Sequence, residues 1–193
     1  LQAGYAETLG LVLLAGGLYF LMQHRYLAAA PWLVGLSITR PGMVSFAAML
    51  AGMWLVRLVK ARRGQGDFPT VERWGLGALT LASAALGLAW PVIAWLATGR
   101  PDAYTATELA WRVVTPHPKL VPFEGWLSLG ASLWGEFWAP MFLLAAVGIS
   151  TWLLLLPSVR RLGNELRLWV AAYLAYVFLV FNPQSSTFRI LLP

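Results

Sequence analysis

The chain has 193 residues, of which 59% are hydrophobic and only 11% are charged. Soluble domains carry about 25% charged residues, so this composition, with a mean hydropathy of +0.67, excludes an ordinary soluble domain. The formal net charge is +6, but the basic residues cluster between apolar runs, which is typical of membrane orientation and not of a nucleic-acid groove. Cysteine is absent, which excludes disulfides, thiolate metal sites and a cysteine nucleophile.

The apolar runs predict an all-α fold, a polytopic transmembrane helical bundle in a single domain that covers residues 1–193. Helices are expected because backbone groups in lipid must be satisfied within the chain and alternating barrel strands are absent. The predicted helices, in chain order, are Tyr5–Gln23, Leu27–Ile38, Met43–Val59, Trp74–Thr98, Trp126–Leu156 and Leu166–Phe181. Leu27–Ile38 is short for a span of roughly 20 residues, so we expect a half-helix or a tilted segment. We further expect the chain to be part of a longer protein.

The basic residues predict an orientation in a plasma membrane. Loops rich in Lys and Arg face the cytoplasm, and this helix order groups on that side His24, Arg25, Lys60–Arg63, Arg73, Arg160, Arg161 and Arg167. The remaining loops then face the extracytoplasmic side, including a long polar segment, Ala97–Trp126. Tryptophans near helix ends predict an interfacial belt, formed by Trp74, Trp95, Trp126, Trp134 and Trp138.

The polar segment contains "PDAYTATELAWR", which predicts a short amphipathic helix on the membrane interface. Pro101 and Asp102 suit its beginning, and Thr105 with Glu108 has the spacing of a capping box. Such a helix is expected either to plug the helix bundle as a lid or to roof a cavity in which a lipid head group meets a polar substrate.

Two spacings within this helix predict a shared face and an ion pair. Tyr104, Glu108 and Trp111 share one face, and Glu108 with Arg112 has the spacing of an ion pair. The two histidines, His24 and His117, have no partner spacing, so we identify no metal site. Whether the protein needs a divalent metal stays open.

Three further charges fall at helix ends or breaks on the predicted extracytoplasmic side. Glu7 suits a first helical turn through the helix dipole, and Arg40 stands at a helix break in "TRPG". An arginine there either reaches the interface or binds a phosphate. Arg189 follows hydroxyl and amide groups in "NPQSSTFR". Charges of both signs around one cavity fit a phosphorylated lipid and an acceptor that carries hydroxyl groups.

The stretch "GYAETLGLVLLAGGLYFLMQHRYLAAAPWLVGLSITRPGMVSFAAML" resembles a motif of PIG-V-like mannosyltransferases: a Y-x-E-[ST] helix, a basic turn, a short helix and a T-R-P turn. These enzymes are polytopic membrane glycosyltransferases of the GT-C type. The stretches "TGRPDAYTATELAWR" and "NELRLWVAAYLAYVFLVFNPQSSTFRILLP" are similar to later segments of actinobacterial members.

The resemblance implies transfer of a sugar from a polyprenyl-phosphate donor to a glycan or glycolipid acceptor outside the cytoplasm. The family indicates that this sugar is mannose. It further implies an acidic catalytic residue in an earlier loop, ahead of Leu1, so we assign no catalytic residue. The resemblance and the charge pattern together give these substrate-binding candidates: Tyr5, Glu7, Arg40, Glu108, Arg112, Gln184, Ser185 and Arg189. Arg40 or Arg189 is expected to bind the phosphate, and Glu7 or Glu108 the sugar hydroxyls.

A non-catalytic membrane subunit or a lipid-carrier scaffold of the flippase kind is the alternative. An acidic residue in an early extracytoplasmic loop would favour the enzyme, and its absence the scaffold. An ion or solute transporter would need charges within the spans, which are nearly free of them, and no internal repeat supports one.

Overall fold

The computed structural model describes residues 7–39, 42–110 and 121–181, and Pro183. Of these residues 82% are helical and none lies in a strand, so the predicted all-α fold is confirmed. The described helices are α1 Glu7–Met22, α2 Tyr26–Thr39, α3 Met43–Arg62, α4 Thr70–Gly87, α5 Ala89–Thr98, α6 Ala103–Ala110, α7 Glu124–Trp134, α8 Ala139–Leu155, α9 Pro157–Arg160 and α10 Asn164–Val180.

Two helical stretches in the described residues are long and apolar enough to cross a membrane, Met43–Arg62 and Thr70–Thr98. The second consists of α4 and α5, which continue each other past a break at Leu88 (φ −93°, ψ 0°). Pro91 accounts for the break, because a proline ring displaces the carbonyl four residues earlier, here that of Gly87, where α4 ends. The length and apolar composition of these two stretches support association with a membrane.

Three further helices are apolar but shorter, namely α1, α2 and α8. The predicted short segment Leu27–Ile38 is α2, which has 14 residues and contains Pro31. At about 1.5 Å per residue it extends about 21 Å, less than the roughly 30 Å of a bilayer's hydrocarbon core.

Glycines let α1 and α2 pack closely against each other. A Cβ atom added to Gly16 would lie 2.2 Å from the Trp32 ring, and one on Gly35 would lie 2.9 Å from Leu13. Small residues at a helix–helix contact allow backbones to approach and maximise van der Waals contact. The α1–α2 pair is therefore a tightly fitted hairpin.

Replacing Gly16 with alanine is expected to destabilise the protein by about 1–3 kcal/mol, because Trp32 must leave its position. The matched control is Gly148→Ala in α8, where nothing lies within 4 Å of the added Cβ and the better helix propensity stabilises by up to about 1 kcal/mol. Thermal unfolding in detergent measures both. Equal melting temperatures for the two variants would show that the α1–α2 contact is not tight.

The helices alternate in direction, so the bundle has two ends. One end, called the basic end below, holds the end of α3 and the beginnings of α4 and α10. There the Arg57 guanidinium lies 2.9 Å from the Glu72 carboxylate and 3.9 Å from that of Glu165. Arg167 Nε donates a hydrogen bond to the Leu154 carbonyl at 3.3 Å, which brings the end of α8 to this end as well.

The opposite end, called the cavity end, holds the beginning of α3 and the ends of α4 and α10. A Cβ on Gly87 would lie 2.9 Å from the Val44 side chain, and one on Gly42 would lie 3.9 Å from Tyr176. Gly42 has φ +130°, a conformation that glycine adopts without steric cost.

The predicted single helix Trp126–Leu156 is wrong, because the chain forms α7 and α8 with a turn between them. Gly135 starts the turn with φ +88° and ψ 158°, a region that is essentially restricted to glycine. α7 lies at the cavity end: Trp126 Nε1 donates to the Val177 carbonyl at 3.0 Å, and a Cβ on Gly130 would lie 2.9 Å from Ala139. Within the predicted helix Trp126–Leu156, therefore, only the α8 part runs from the cavity end to the basic end.

Trp126 also departs from the predicted interfacial belt, because its side chain is buried against Phe142 and Phe178. The other tryptophans assigned to the belt, Trp74, Trp95, Trp134 and Trp138, are exposed. Trp126 is a core residue that fastens α7 to α10.

The main core lies between α1, α2, α3, α4 and α10, around Phe46 and Leu50. Outside this core the helices present apolar side chains outward: Leu81, Leu96 and Leu144 are 74%, 76% and 70% exposed. Ala139 is the one buried residue of α8. A helix that is apolar all round requires an apolar environment, either a protein core or a membrane.

Candidate functional site

A cavity of about 190 Å³ lies at the cavity end, between the α2–α3 turn, the α4–α5 break, α6 and the end of α10. Its lining includes Ser37, Gly42, Trp90, Tyr104, Tyr176 and Val180. The volume is below the roughly 300–1,000 Å³ of pockets for drug-sized ligands. A single head group therefore fits it better than an extended substrate.

Hydrogen bonds hold the walls of this cavity. Trp90 Nε1 donates to the Ser37 carbonyl at 3.0 Å, which fastens α5 to α2. The Ser37 hydroxyl donates to the Val34 carbonyl at 2.7 Å, and the Ser45 hydroxyl donates to the Gly42 carbonyl at 2.6 Å. Because these serine hydroxyls bond within their own helix or turn, the walls are largely apolar.

Helix α6 contributes Tyr104 to the cavity from the polar segment. The helix begins at Ala103, directly after Asp102, as predicted. The predicted capping box is wrong, because Thr105 lies inside the helix, where its hydroxyl donates to the Asp102 carbonyl at 2.9 Å. The predicted shared face is confirmed for two of its residues, since Tyr104 and Glu108 lie one turn apart on α6 and the Glu108 carboxylate acts electrostatically on the Tyr104 hydroxyl.

The turn before α6 carries an exposed ion pair. Arg100 Nη2 lies 2.8 Å from Asp102 Oδ2, and this hydrogen bond lowers the pKa of the Asp102 carboxyl. Exposed pairs contribute little to stability. The pair instead orients the beginning of α6 next to the left-handed turn at Gly99.

The titration of Tyr104 tests the contact with Glu108. Burial raises the pKa of Tyr104 above its usual value, and the negative charge of Glu108 and the hydrogen bond to it raise it further. Because the folded-state pKa exceeds the unfolded one, the associated stability is present below about pH 10 and is lost as pH rises through the folded-state pKa. We expect Glu108→Gln to move the Tyr104 titration to lower pH.

Phenolate absorbance, taken as the difference between each protein and its Tyr104→Phe variant, measures this titration. Glu124→Gln is the control, because Glu124 accepts a hydrogen bond from Ser128 in α7 and lies apart from Tyr104 in the chain. A Tyr104 titration that Glu108→Gln leaves unchanged would contradict the contact.

The sequence interpretation missed an ionic cluster at the basic end, opposite the cavity. The Arg57 guanidinium lies within hydrogen-bond distance of Glu72 at 2.9 Å, the Tyr26 hydroxyl at 3.1 Å and His24 Nδ1 at 2.7 Å, with Glu165 at 3.9 Å. It thereby joins the α1–α2 turn, α3, α4 and α10. The sequence signal for this cluster was a lone arginine inside the apolar α3, because a charge in such a helix needs a partner.

Most predicted substrate-binding residues lie outside the described part of the chain. These are Tyr5, Arg40, Arg112, Gln184, Ser185 and Arg189, together with the side chain of Glu7. Their roles stay predictions, as do the Glu108–Arg112 ion pair and the position of Trp111. Glu108 is described, and it is exposed on α6 beside the cavity residue Tyr104.

Two of the undescribed candidates are near cavity residues in the sequence. Arg40 is two residues before Gly42, and Gln184 is four residues after Val180. Within the described residues, no three His, Asp or Glu side chains form a group that could hold a metal ion. Comparison of the chain with protein-family models, with curated proteins and with solved structures finds no match.

Proposed function

We propose that this chain is part of a GT-C-type membrane glycosyltransferase that transfers mannose from a polyprenyl-phosphate donor to a glycan or glycolipid acceptor. One observation carries the proposal: the three stretches that resemble PIG-V-like mannosyltransferases all contribute to one cavity. Gly42 comes from the "TRPG" turn, Tyr104 from the polar segment, and Tyr176 and Val180 from the helix before "NPQSSTFR".

The exposed apolar surface supports the membrane part of this proposal. The outward faces of α4, α5 and α8 carry leucine, isoleucine and tryptophan side chains that water would solvate poorly and acyl chains would solvate well. The proposed arrangement is a multi-pass bundle in the plasma membrane, with the basic end in the cytoplasm by the rule for positive loops and the cavity end outside.

The chemistry of the transfer explains what the cavity end would supply. The acceptor oxygen forms a bond to the anomeric carbon as the bond from that carbon to the phosphate oxygen breaks, and the lipid phosphate leaves with the electron pair. Cations stabilise the charge that develops on the phosphate, which is the proposed role of Arg40 or Arg189. A general base takes the proton of the acceptor hydroxyl.

The polar face of α6 is proposed to bind sugar hydroxyls at the cavity end. Glu108 lies one helical turn from the cavity residue Tyr104, and its exposed carboxylate has acceptor capacity for sugar hydroxyls. Holding the sugar and the acceptor in a reactive geometry supplies a large part of the rate in such a two-substrate reaction.

Radiolabelled polyprenyl-phosphate mannose tests the proposed function. Purified protein containing this chain, incubated with the donor and with membranes of a strain that lacks the protein as the source of acceptor, is expected to transfer label. Donor binding without transfer would contradict the enzyme and favour the non-catalytic subunit or lipid carrier. Absence of both binding and transfer would contradict both functions.

A further inference from the structure

The entire formal net charge of the chain belongs to the basic end. Nine of the 14 Lys and Arg residues and three of the eight Asp and Glu residues lie there, so this end accounts for the net +6. The cations are Arg25, Arg57, Lys60, Arg62, Arg63, Arg73, Arg160, Arg161 and Arg167, and the anions are Asp67, Glu72 and Glu165. The rest of the chain carries equal numbers of both signs.

The two glutamates at this end share one internal cationic partner. Arg57 contacts both Glu72 and Glu165, and only 18% of the Arg57 side chain is exposed. Seven other cations at this end are exposed and form no ion pair within the described residues. Two of them, Arg25 and Arg73, lie over the rings of Phe20 and Phe68, and the other five are Lys60, Arg62, Arg63, Arg160 and Arg161. No acidic side chain in the described part of the chain pairs with these five cations, so their positive charge is exposed.

These five cations come from two segments that the Arg57 cluster brings together. Lys60 follows Arg57 by three residues on α3, less than one helical turn, or about 5 Å. Glu165, which contacts Arg57, is the second residue of α10, and the N–H of Gly163, two residues earlier, donates to the Arg160 carbonyl at 3.5 Å. The end of α3 and the α9 turn therefore lie at the same end of the bundle, and their five exposed cations are called the basic surface below.

Apolar side chains border this basic surface. Val59, Leu155 and Leu162 are 44%, 50% and 55% exposed and belong to the same two segments. A phospholipid presents a phosphate directly beside its acyl chains, so it complements both the cations and this apolar border. A soluble anion would complement the cations alone.

We propose that Lys60, Arg62, Arg63, Arg160 and Arg161 form a binding surface for the head groups of anionic phospholipids. Arginine suits this role because its guanidinium forms paired hydrogen bonds with phosphate oxygens, and basic residues beside a membrane are attracted to anionic lipids. This surface lies at the opposite end from the cavity. The inference rests on the proposed membrane span but not on glycosyl transfer.

Binding of short-chain phosphatidylglycerol to the detergent-purified protein tests this surface, with short-chain phosphatidylcholine and inorganic phosphate as comparison ligands. We expect clear preference for phosphatidylglycerol and loss of affinity as salt is raised. The variant K60Q/R62Q/R63Q is expected to lose affinity roughly hundredfold and R160Q/R161Q roughly 25-fold, about fivefold per basic residue. The control R100Q alters an exposed arginine outside this surface and should bind normally.

Equal binding of the anionic and zwitterionic lipids would overturn the proposal, as would an equal loss in R100Q. Inorganic phosphate that competes at the same concentration as phosphatidylglycerol would identify a site for free anions instead and would also overturn it. Extraction of the protein from membranes by alkaline carbonate without detergent is the separate result that would refute the membrane span itself.

Discussion

Replacing Arg57 with leucine is expected to lower the free energy of unfolding by about 3 kcal/mol, because Glu72 and Glu165 lose the cation that pairs with both of them. All three side chains are less than one third exposed, so water compensates only in part. For a chain of this size the loss corresponds to a decrease in melting temperature of about 6–12 °C. Thermal unfolding in detergent measures it.

Two companion variants separate the charge of Arg57 from its geometry. Arg57→Lys retains the charge but not the planar group that reaches Tyr26, His24 and Glu72 together, so an intermediate loss is expected. Arg62→Leu removes an exposed cation and should change stability by less than about 1 kcal/mol. A melting temperature of Arg57→Leu equal to that of Arg62→Leu would show that the cluster does not hold the four segments together.

Replacing Arg40 with alanine is expected to reduce sugar transfer by roughly hundredfold or more while the protein remains folded. Removal of one group that stabilises a developing negative charge typically costs this much in kcat. The prediction rests on the resemblance of "TRPG" to the T-R-P turn and on the position of Gly42, two residues later, in the cavity lining. Transfer from labelled polyprenyl-phosphate mannose measures the effect.

Arg100→Ala is the matched control for the arginine at position 40. Arg100 is exposed, belongs to the same proposed extracytoplasmic region and pairs only with Asp102 in the described residues, so its loss should leave transfer nearly unchanged. Normal turnover by Arg40→Ala, with size-exclusion profiles equal to those of the parent protein, would remove Arg40 from the site.

The sequence predicted helices well where composition alone decides them. The beginnings of α2 and α3 differ by at most one residue from the predicted ones, because the charged turn at His24 and Arg25 and the "TRPG" break interrupt apolar runs. Four of the six predicted helices each correspond to one described helix, and Trp74–Thr98 corresponds to the continuous pair α4 and α5, whereas Trp126–Leu156 is divided. Apolar length is a local property, so the sequence carries it directly.

The break between α7 and α8 could not be read from apolar length. Residues 126–156 form a nearly continuous apolar stretch with one acidic residue, Glu136, and Gly135 is tolerated in a membrane helix as well as in a turn. A tertiary contact decides the break. Trp126 donates a hydrogen bond to the Val177 carbonyl, and this bond requires α7 to turn away from the axis of α8. Such long-range contacts have no signature in the local pattern.

In the candidate site, too, the sequence predicted the local arrangement but not the contacts between distant parts of the chain. The i, i+4 spacing of Tyr104 and Glu108 is local and predicted that they share one helix face, which the structure confirms. The convergence of Ser37, Trp90 and Tyr176 on one cavity depends on the packing of three helices, α2, α5 and α10. The partners of Arg57, which are 15 to 108 residues away in the chain, were hidden for the same reason.

Site-specific cysteine labelling tests most directly whether the two ends of the bundle face opposite sides of a membrane. The chain contains no cysteine, so Gln65→Cys and Ser158→Cys report on the basic end, and Ala106→Cys and Glu136→Cys on the opposite end, once any cysteines elsewhere in the full protein are replaced. With a membrane-impermeant maleimide, intact cells should label the second pair alone, and the first pair only after permeabilisation. Labelling of all four positions in intact cells, or the reverse pattern, would contradict the account.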